Sequence, residues 1–346
     1  MAPPALTSKE ISIVHGQSMS SKDGLLSDVN CKSFPACKLP IDRVNQLEAV
    51  YEIESKPFAR GKFATVKHCL HRASQTPFAA KCIKKRRMCK DVVQEILHEI
   101  RVLLISSPCN RIIQLFSVFE TSNEYVLILE LASGGELQQV LDMDEYLTEE
   151  ASRHVVRQVL EGISFLHDHS IAHLDIKPQN ILLTGPLTQS SISLPSSSPD
   201  SSSSTSSSPT LTPCHFCDIK ICDFGVSRVI SHGYDLREIL GTPDYVAPEI
   251  LNYDPISLAT DMWSMGCLSY VVLSGCSPFG GEDKQETLSN ITSAPLDFDD
   301  AHFDSVSELA LDFIRKLIVR EPKLRLTAKE ALDHDWIKTS SPSSST

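Results

Sequence analysis

His173-Leu174-Asp175-Ile176-Lys177-Pro178-Gln179-Asn180, followed downstream by Asp223-Phe224-Gly225, is the stretch on which the reading of this chain turns. In order, it supplies an aspartate, a lysine, an asparagine and a second aspartate. Asp175 is positioned to orient an attacking hydroxyl and take its proton. Lys177 would neutralise charge on a phosphate in transfer, and Asn180 and Asp223 would hold magnesium. Asp-Phe-Gly alone recurs by chance in many folds, and a capped turn with surface charges is the plainer reading of either segment. The ordered combination argues against that plainer reading.

Working upstream, Phe78-Ala79-Ala80-Lys81 reads as a strand whose Lys81 reaches the α- and β-phosphates of a nucleotide. Its acidic partner belongs on the helix that follows. Glu99 is preferred to Glu95 because it lies among the apolar positions Ile96, Ile100 and Leu103. Ala79 is small enough to lie over an adenine ring. Ala59-Arg60-Gly61-Lys62-Phe63-Ala64-Thr65-Val66 is the candidate phosphate-covering loop, although only Gly61 remains of the three glycines usual in such a loop. Alanine at 59 and 64 stiffens it, and an ordinary hairpin turn is the alternative.

The chain has 346 residues, of which 41% are apolar, enough for two lobes with a core each. Its formal charge of −12, from 44 acidic and 32 basic residues, argues against nucleic acid as a main partner. The eleven cysteines lack framework spacing, and no secretory signal or bilayer-length apolar run is visible, so an intracellular protein with reduced thiols is expected. Residues 1–45 read as a flexible polar tail. Strands are expected at Ala64–Cys69, Phe78–Ile83, Ile112–Phe119 and Tyr125–Leu131, with one helix carrying Val92 to Leu104 between the second and third. After Gly134-Gly135 the pattern turns helical: Thr148–His169, Ser257–Ser274, Glu282–Ile291, and helices opened by the capping boxes Ser305–Glu308 and Thr327–Glu330. Residues 184–213 are dominated by serine and cannot bury enough apolar surface to offset ordering entropy. They read as a disordered insertion at the tip of a hairpin made by Ile181-Leu182-Leu183 and Asp218–Ile221. Residues 338–346 form a short serine-rich tail. The fold class expected is α+β, a small antiparallel sheet with one helix followed by a larger helical part, with nucleotide chemistry at the junction.

With these motifs in hand, residues 51–337 resemble the eukaryotic protein kinases. Ala247-Pro248-Glu249, Asp261-Met262-Trp263-Ser264-Met265-Gly266, and an Arg325 similar to the arginine that pairs with the Glu249 position carry the likeness further. The resemblance implies a bilobal fold, ATP and Mg2+, and protein substrates with serine or threonine acceptors, since Asp175-Ile176-Lys177-Pro178 with Gly241-Thr242 is similar to the serine/threonine branch. Arg60-Gly61-Lys62-Phe63-Ala64, Lys84-Lys85-Arg86-Arg87, Leu97-His98-Glu99-Ile100, Gly241-Thr242-Pro243-Asp244-Tyr245 and Leu251-Asn252-Tyr253-Asp254-Pro255 resemble the death-associated protein kinases, in the related apoptosis-inducing branch. The brief tail after Trp336 agrees with a branch lacking a calmodulin-binding helix, whereas Ala59 and the serine-rich insertion depart from it. By the same likeness, apoptosis signalling in nucleus or cytoplasm is implied. Glu130 and Ala132 look like the hinge that meets adenine, with Gly61, Val66, Ala79 and Leu182 also lining the nucleotide. Leu129 resembles a residue guarding the back pocket, and Glu136 an acid for the ribose or a basic substrate residue. Gln179 stands where basophilic kinases often carry glutamate.

Leu174 stands where many kinases have an arginine that pairs with an activation-segment phosphate, so activity without phosphorylation at Ser231 or Tyr234 is expected. Cys214-His215-Phe216-Cys217 lacks a second pair to complete a metal site. The competing function is a pseudokinase scaffold that binds partners without turnover; Ala59 leans that way, and Lys81, Glu99, Asp175, Asn180 and Asp223 lean against it. Small-molecule phosphorylation is disfavoured by the Gly241–Glu249 segment, which looks built for a peptide. Neither membrane nor nucleic acid is expected as a partner, and oligomeric state is left open.

Overall fold

The computed structural model describes residues 41–43, 47–61, 64–87, 90–144, 146–187, 217–231, 235–298 and 301–339. In chain order the first part comprises β1 (Ile41–Arg43), α1 (Leu47–Val50), β2 (Tyr51–Arg60), β3 (Ala64–His71), β4 (Pro77–Lys84), the two-residue β5 (Arg86–Arg87) and β6 (Lys90–Asp91), α2 (Val93–Ile105), β7 (Leu115–Glu120) and β8 (Glu124–Leu129). Six of these strands form one sheet in the order β1-β7-β8-β4-β3-β2. Ala80, Cys82, Val126 and Ile128 alternate onto one buried face with Tyr51 and Phe119. Lys81 sits on the other face, opposite Val66 on β3 and Leu127 on β8.

Three expectations change here. Residues 41–43 leave the expected tail and join the sheet: β1 runs parallel to β7, with Ile41 opposite Val118. The edge of β7 offers unpaired backbone groups, which recruit a strand whatever its side chains. The third strand begins at Leu115 rather than Ile112. Residues 111–113 are claimed by the second part of the molecule instead, through Ile221 N–H to the Arg111 carbonyl (2.8 Å) and Ile113 N–H to the Ile221 carbonyl (3.0 Å). Likewise β8 ends at Leu129, and the Glu130 N–H turns to the Gln114 carbonyl (2.9 Å).

The second part is mainly helical. It runs through β9 (Gly135–Glu136), α3 (Leu137–Asp144), α4 (Glu149–Asp168), β10 (Ile171–Ala172), β11 (Ile181–Leu183), β12 (Ile219–Ile221), β13 (Arg228–Val229), α5 (Pro248–Leu251), α6 (Leu258–Ser274), α7 (Lys284–Ser293), α8 (Glu308–Leu317), α9 (Ala328–Leu332) and α10 (Asp335–Lys338). Helix α6 is the central pillar, buried from Thr260 to Ser274. It opens on a Ser257/Thr260 capping box and closes on Gly275 at φ 75°. Thr327–Glu330 forms the expected capping box. The Ser305 expectation does not hold, because α8 is capped by Ser307. The acid that answers Ser307 comes from α4: the Glu149 carboxylate accepts the Ser307 N–H (2.8 Å), the Ser307 hydroxyl (2.6 Å) and the Trp336 indole N–H (2.9 Å).

β11 and β12 pair antiparallel, Ile181 opposite Ile221, and the Thr184 N–H closes on the Asp218 carbonyl (2.9 Å). β11 and β12 thus form the expected hairpin; residues 188–213 of the serine-rich segment lie outside the described residues, as do residues 1–40, Cys214 to Phe216 and 340–346. Among the described residues the cysteines are free thiols, and no helix is long and apolar enough to cross a membrane.

Candidate active site

The Asp175 segment is held from beneath by a buried carboxylate. Asp261, on the first turns of α6, accepts the N–H of His173 and of Leu174, each at 2.8 Å, and meets His167 Nε2 at 2.9 Å. Burial alone would raise its pKa, but these bonds reverse the effect and hold Asp261 below the usual carboxylate range. With its backbone fixed this way, Leu174 takes a left-handed φ of 65°, a conformation that costs a non-glycine residue free energy. The turn presents Asp175 upward.

Three side chains meet at Asp175. Its Oδ2 pairs with Lys177 Nζ at 2.7 Å and accepts from Asn180 Nδ2 at 2.9 Å. Its Oδ1 accepts the Thr242 hydroxyl at 2.8 Å, and Lys177 Nζ also donates to Thr242 Oγ1 at 2.7 Å. Asn180 Nδ2 further donates to the Asp175 carbonyl (2.8 Å). Asn180 directly precedes β11, and its carbonyl accepts the N–H of Cys222, which directly follows β12 (3.0 Å). Hairpin register thus brings Asn180 and Asp223 side by side, although 42 residues separate them in the chain. His173 Nε2 contacts the Cys222 carbonyl (3.1 Å), and its ring packs edge-on against the buried Phe224.

Asp223, also at φ 65°, joins the two parts of the molecule. Lys81 Nζ on β4 bonds Glu99 Oε1 on α2 at 2.6 Å and Asp223 Oδ1 at 3.0 Å. The Lys81 cation, aided by its hydrogen bond and opposed by burial, pulls the Asp223 pKa down to about 2. Burial works against the Lys81 charge, but the two carboxylates outweigh it and raise its pKa. Glu99 is buried, as the apolar neighbours on its helix face require. Next to it His98 contacts the Ser227 hydroxyl (3.1 Å).

The remaining sequence candidates fall around this centre. Ala79 is buried on β4, on the face that also carries Lys81, opposite Leu129. Val66 lies directly opposite Lys81. Leu182 on β11 is paired with Glu136 on one side and Lys220 on the other. The Glu130 carboxylate pairs with Lys220 Nζ at 3.0 Å, and Ala132 follows two residues later in the connection between the two parts. Burial, then the nearby Asp142, raise the Glu136 pKa against the pull of Lys177. Gly61 closes the β2–β3 turn with its N–H on the Ala64 carbonyl (2.9 Å); Lys62 and Phe63 lie outside the described residues. Gln179 bonds Gln138 (3.0 Å). Arg325 grips Glu249 through two 2.7 Å bonds, both side chains buried, and stacks over Trp263.

Thr242 and Asp261 do more here than the sequence showed. In the sequence each stands only as part of a longer motif. For Asp261 the signal is the one charged residue in the run 258–273; for Thr242 no local signal exists, because its partner lies 67 residues away.

A carboxylate, lysine and asparagine on one part, facing a lysine–glutamate pair on the other, define a protein kinase domain, and that family matches residues 53–337. The chain is 46% identical over 316 residues to a Drosophila melanogaster protein named death-associated protein kinase related, covering 91% of this chain and 42% of the relative. It is 48% identical over 288 residues to the Oryctolagus cuniculus serine/threonine-protein kinase 17A, covering 83% and 66%. With the human death-associated protein kinase 2 it shares 42% identity over 296 residues, covering 84% and 72%. The chain belongs to the death-associated protein kinase family. It spans less than two thirds of the fly and rabbit relatives.

Proposed function

We propose that the chain is an active serine/threonine protein kinase that moves the γ-phosphate of ATP onto protein hydroxyls. The observation that carries this is the Lys81–Asp223 bond. It joins Glu99 and the nucleotide-facing sheet to the floor on which Asp175, Lys177 and Asn180 converge. Asp175 orients the substrate hydroxyl and accepts its proton as the oxygen bonds to the γ-phosphorus and the bond to the bridging oxygen of ADP breaks. Lys177 offsets charge on the moving phosphoryl group. Lys81, locked by Glu99, holds the α- and β-phosphates. Gly61, Val66, Ala79, Leu182 and the Glu130–Ala132 connection contact the nucleotide, and Glu136 meets the ribose or a basic substrate residue.

The donor set fits magnesium. Asn180 uses its amide nitrogen on Asp175, which leaves its Oδ1 to ligate, and Lys81 keeps Asp223 ionised. Two oxygen donors from the protein, completed by phosphates and water, are what this hard cation takes. Bound there, it would neutralise phosphate charge. The names of the relatives support a role in death-associated signalling, and we take nucleus or cytoplasm as its place of action. Residues 51–337 are read as the catalytic domain.

Labelled ATP with a generic basic protein tests the reading. Label transfer is expected from the native chain, and Asp175→Asn should lower it about a thousandfold. Native transfer no greater than that of the variant would favour the pseudokinase scaffold.

A further inference from the structure

Kinases with arginine at the position of Leu174 use it to grip a phosphate on the activation segment, here the stretch from Gly225 to Glu249. Leu174 is apolar and only 4% exposed, so position 174 supplies no cation to the segment. The segment is nevertheless held. Arg228, three residues past Gly225, donates through Nε to Glu238 Oε1 (3.1 Å) and through its terminal nitrogen to Oε2 (2.6 Å). Two parallel bonds from a planar guanidinium to one carboxylate are the geometry with which arginine takes phosphate. A further nitrogen of Arg228 holds the carbonyls of Val226 (3.1 Å) and Ser227 (2.9 Å), which fixes the fork against its own backbone. Its side chain is 16% exposed and that of Glu238 34%, more enclosed than an ordinary surface pair.

Position gives the pair its meaning. Glu238 stands three residues before Gly241, which adopts φ 98° and packs its backbone near the Leu174 carbonyl, and the next residue, Thr242, bonds Asp175 and Lys177. Around Glu238 the segment is pinned at Leu236, whose carbonyl accepts the Ile256 N–H (2.8 Å), and at Arg237, which donates to the Tyr253 carbonyl (2.9 Å). On the other side Ser227 touches His98, the neighbour of Glu99. The pair therefore sits between the helix that orients Lys81 and the segment that delivers Thr242.

We propose that Glu238 is a built-in substitute for the activating phosphate, and that Arg228, rather than residue 174, is its receptor. Both are positioning residues that touch no substrate: their attraction keeps the segment in the form that presents Thr242. This rests on the kinase reading above and adds to it the reason the chain would need no activating phosphorylation.

The test uses the full chain with Glu238→Gln, Arg228→Gln and the charge exchange Arg228→Glu/Glu238→Arg. Each single variant should lose about tenfold in kcat/KM for the basic protein, with KM for ATP kept within about twofold, and the exchange should recover to within about threefold of the parent. Chymotrypsin cleavage after Leu236 or Leu240 should be about fivefold faster in each single variant and return toward the parent rate in the exchange. Single variants with the parent's turnover, or an exchange no better than the singles, would overturn the proposal. If the parent itself transfers no label, the kinase reading falls separately. The cleavage rates then decide: faster cleavage reversed by the exchange supports the latch, and unchanged cleavage refutes it.

Discussion

The floor and the roof of the candidate site are built on opposite plans. On the floor, the Asp175 turn is fixed by Asp261 below, Asn180 beside it and Thr242 above, and it tolerates two left-handed non-glycine residues, Leu174 and Asp223. Each such residue costs on the order of 1–3 kcal/mol, which only a surrounding that over-determines the backbone can offset. The roof is the β2–β3 hairpin. There the register slips between Ile53 and Pro57 and again before Ala59, Phe58 is half exposed against the His68 ring, and Gly61 turns its N–H to the Ala64 carbonyl. A floor that does proton and metal chemistry needs named side chains at fixed distances. A roof that covers phosphates needs backbone and close approach, so few of its side chains are specified.

The difference predicts where the molecule breaks. Removing Asp261 should have the largest effect, since Asp261→Ala leaves the His173 and Leu174 N–H groups buried without an acceptor. A loss of about 3–5 kcal/mol in unfolding free energy is expected, together with at least about a hundredfold in turnover. Denaturant titration and the label-transfer assay measure both. A change under about 1 kcal/mol would mean that the floor is not held from beneath.

The contact between the two parts should show in acid. Burial, reinforced by the Arg228 cation, lowers the His98 pKa from 6.5 to about 4 against the bond from Ser227. The folded protein therefore refuses a proton that the unfolded chain takes. Stability is unaffected above pH 6.5 and falls as pH drops from there toward 4, by on the order of 2–3 kcal/mol. His98→Gln should flatten that slope, whatever it does to stability at pH 7. Unfolding titrations at pH 7 and pH 4 read the slope directly, and an unchanged slope would remove His98 as the cause.

Legibility in the sequence follows the same division. Floor residues could be read as a group because their chemistry allows few substitutes: Asp175 contacts Lys177 and Asn180, and Asp223 contacts Lys81. Glu99 was separable from Glu95 because its helix face is apolar, and the structure buries Glu99 with Lys81. What escaped was long-range or made by backbone. Thr242 reaches Asp175 across 67 residues. Ser307 replaced Ser305 as a cap because Glu149, 158 residues away, answers it. Strand β1 and the shortened β7 depend on which backbone edge wins a segment, and side-chain periodicity does not record that choice.

The roof gives a smaller effect. Ala59 on β2 faces Val66 on β3 in the hairpin that would cover the phosphates. Ala59→Gly should lower KM for ATP about threefold, because the missing Cβ lets the backbone approach, while costing about 0.5–1 kcal/mol in stability through added chain entropy. Initial rates against ATP concentration separate the two. A higher KM would show that stiffness at 59 helps hold the nucleotide, and the contrast between floor and roof would then be weaker than drawn.

The smallest effect belongs to the activation segment's hydroxyls. Leu174 offers no cation to a phosphate, and the guanidinium of Arg228 is already engaged by Glu238 through both oxygens. A phosphate on Ser231 would have to compete with that carboxylate for Arg228, which does not improve the placement of Thr242; Tyr234 lies outside the described residues. Replacing Ser231 with Ala and Tyr234 with Phe together should therefore leave kcat/KM within about twofold of the parent, a change under about 0.5 kcal/mol in the barrier. Kinetics on the double variant, alongside mass spectrometry of the active parent for phosphate at these positions, decide the point. A collapse in turnover would show that a floor complete in its carboxylates still waits for a phosphate from outside.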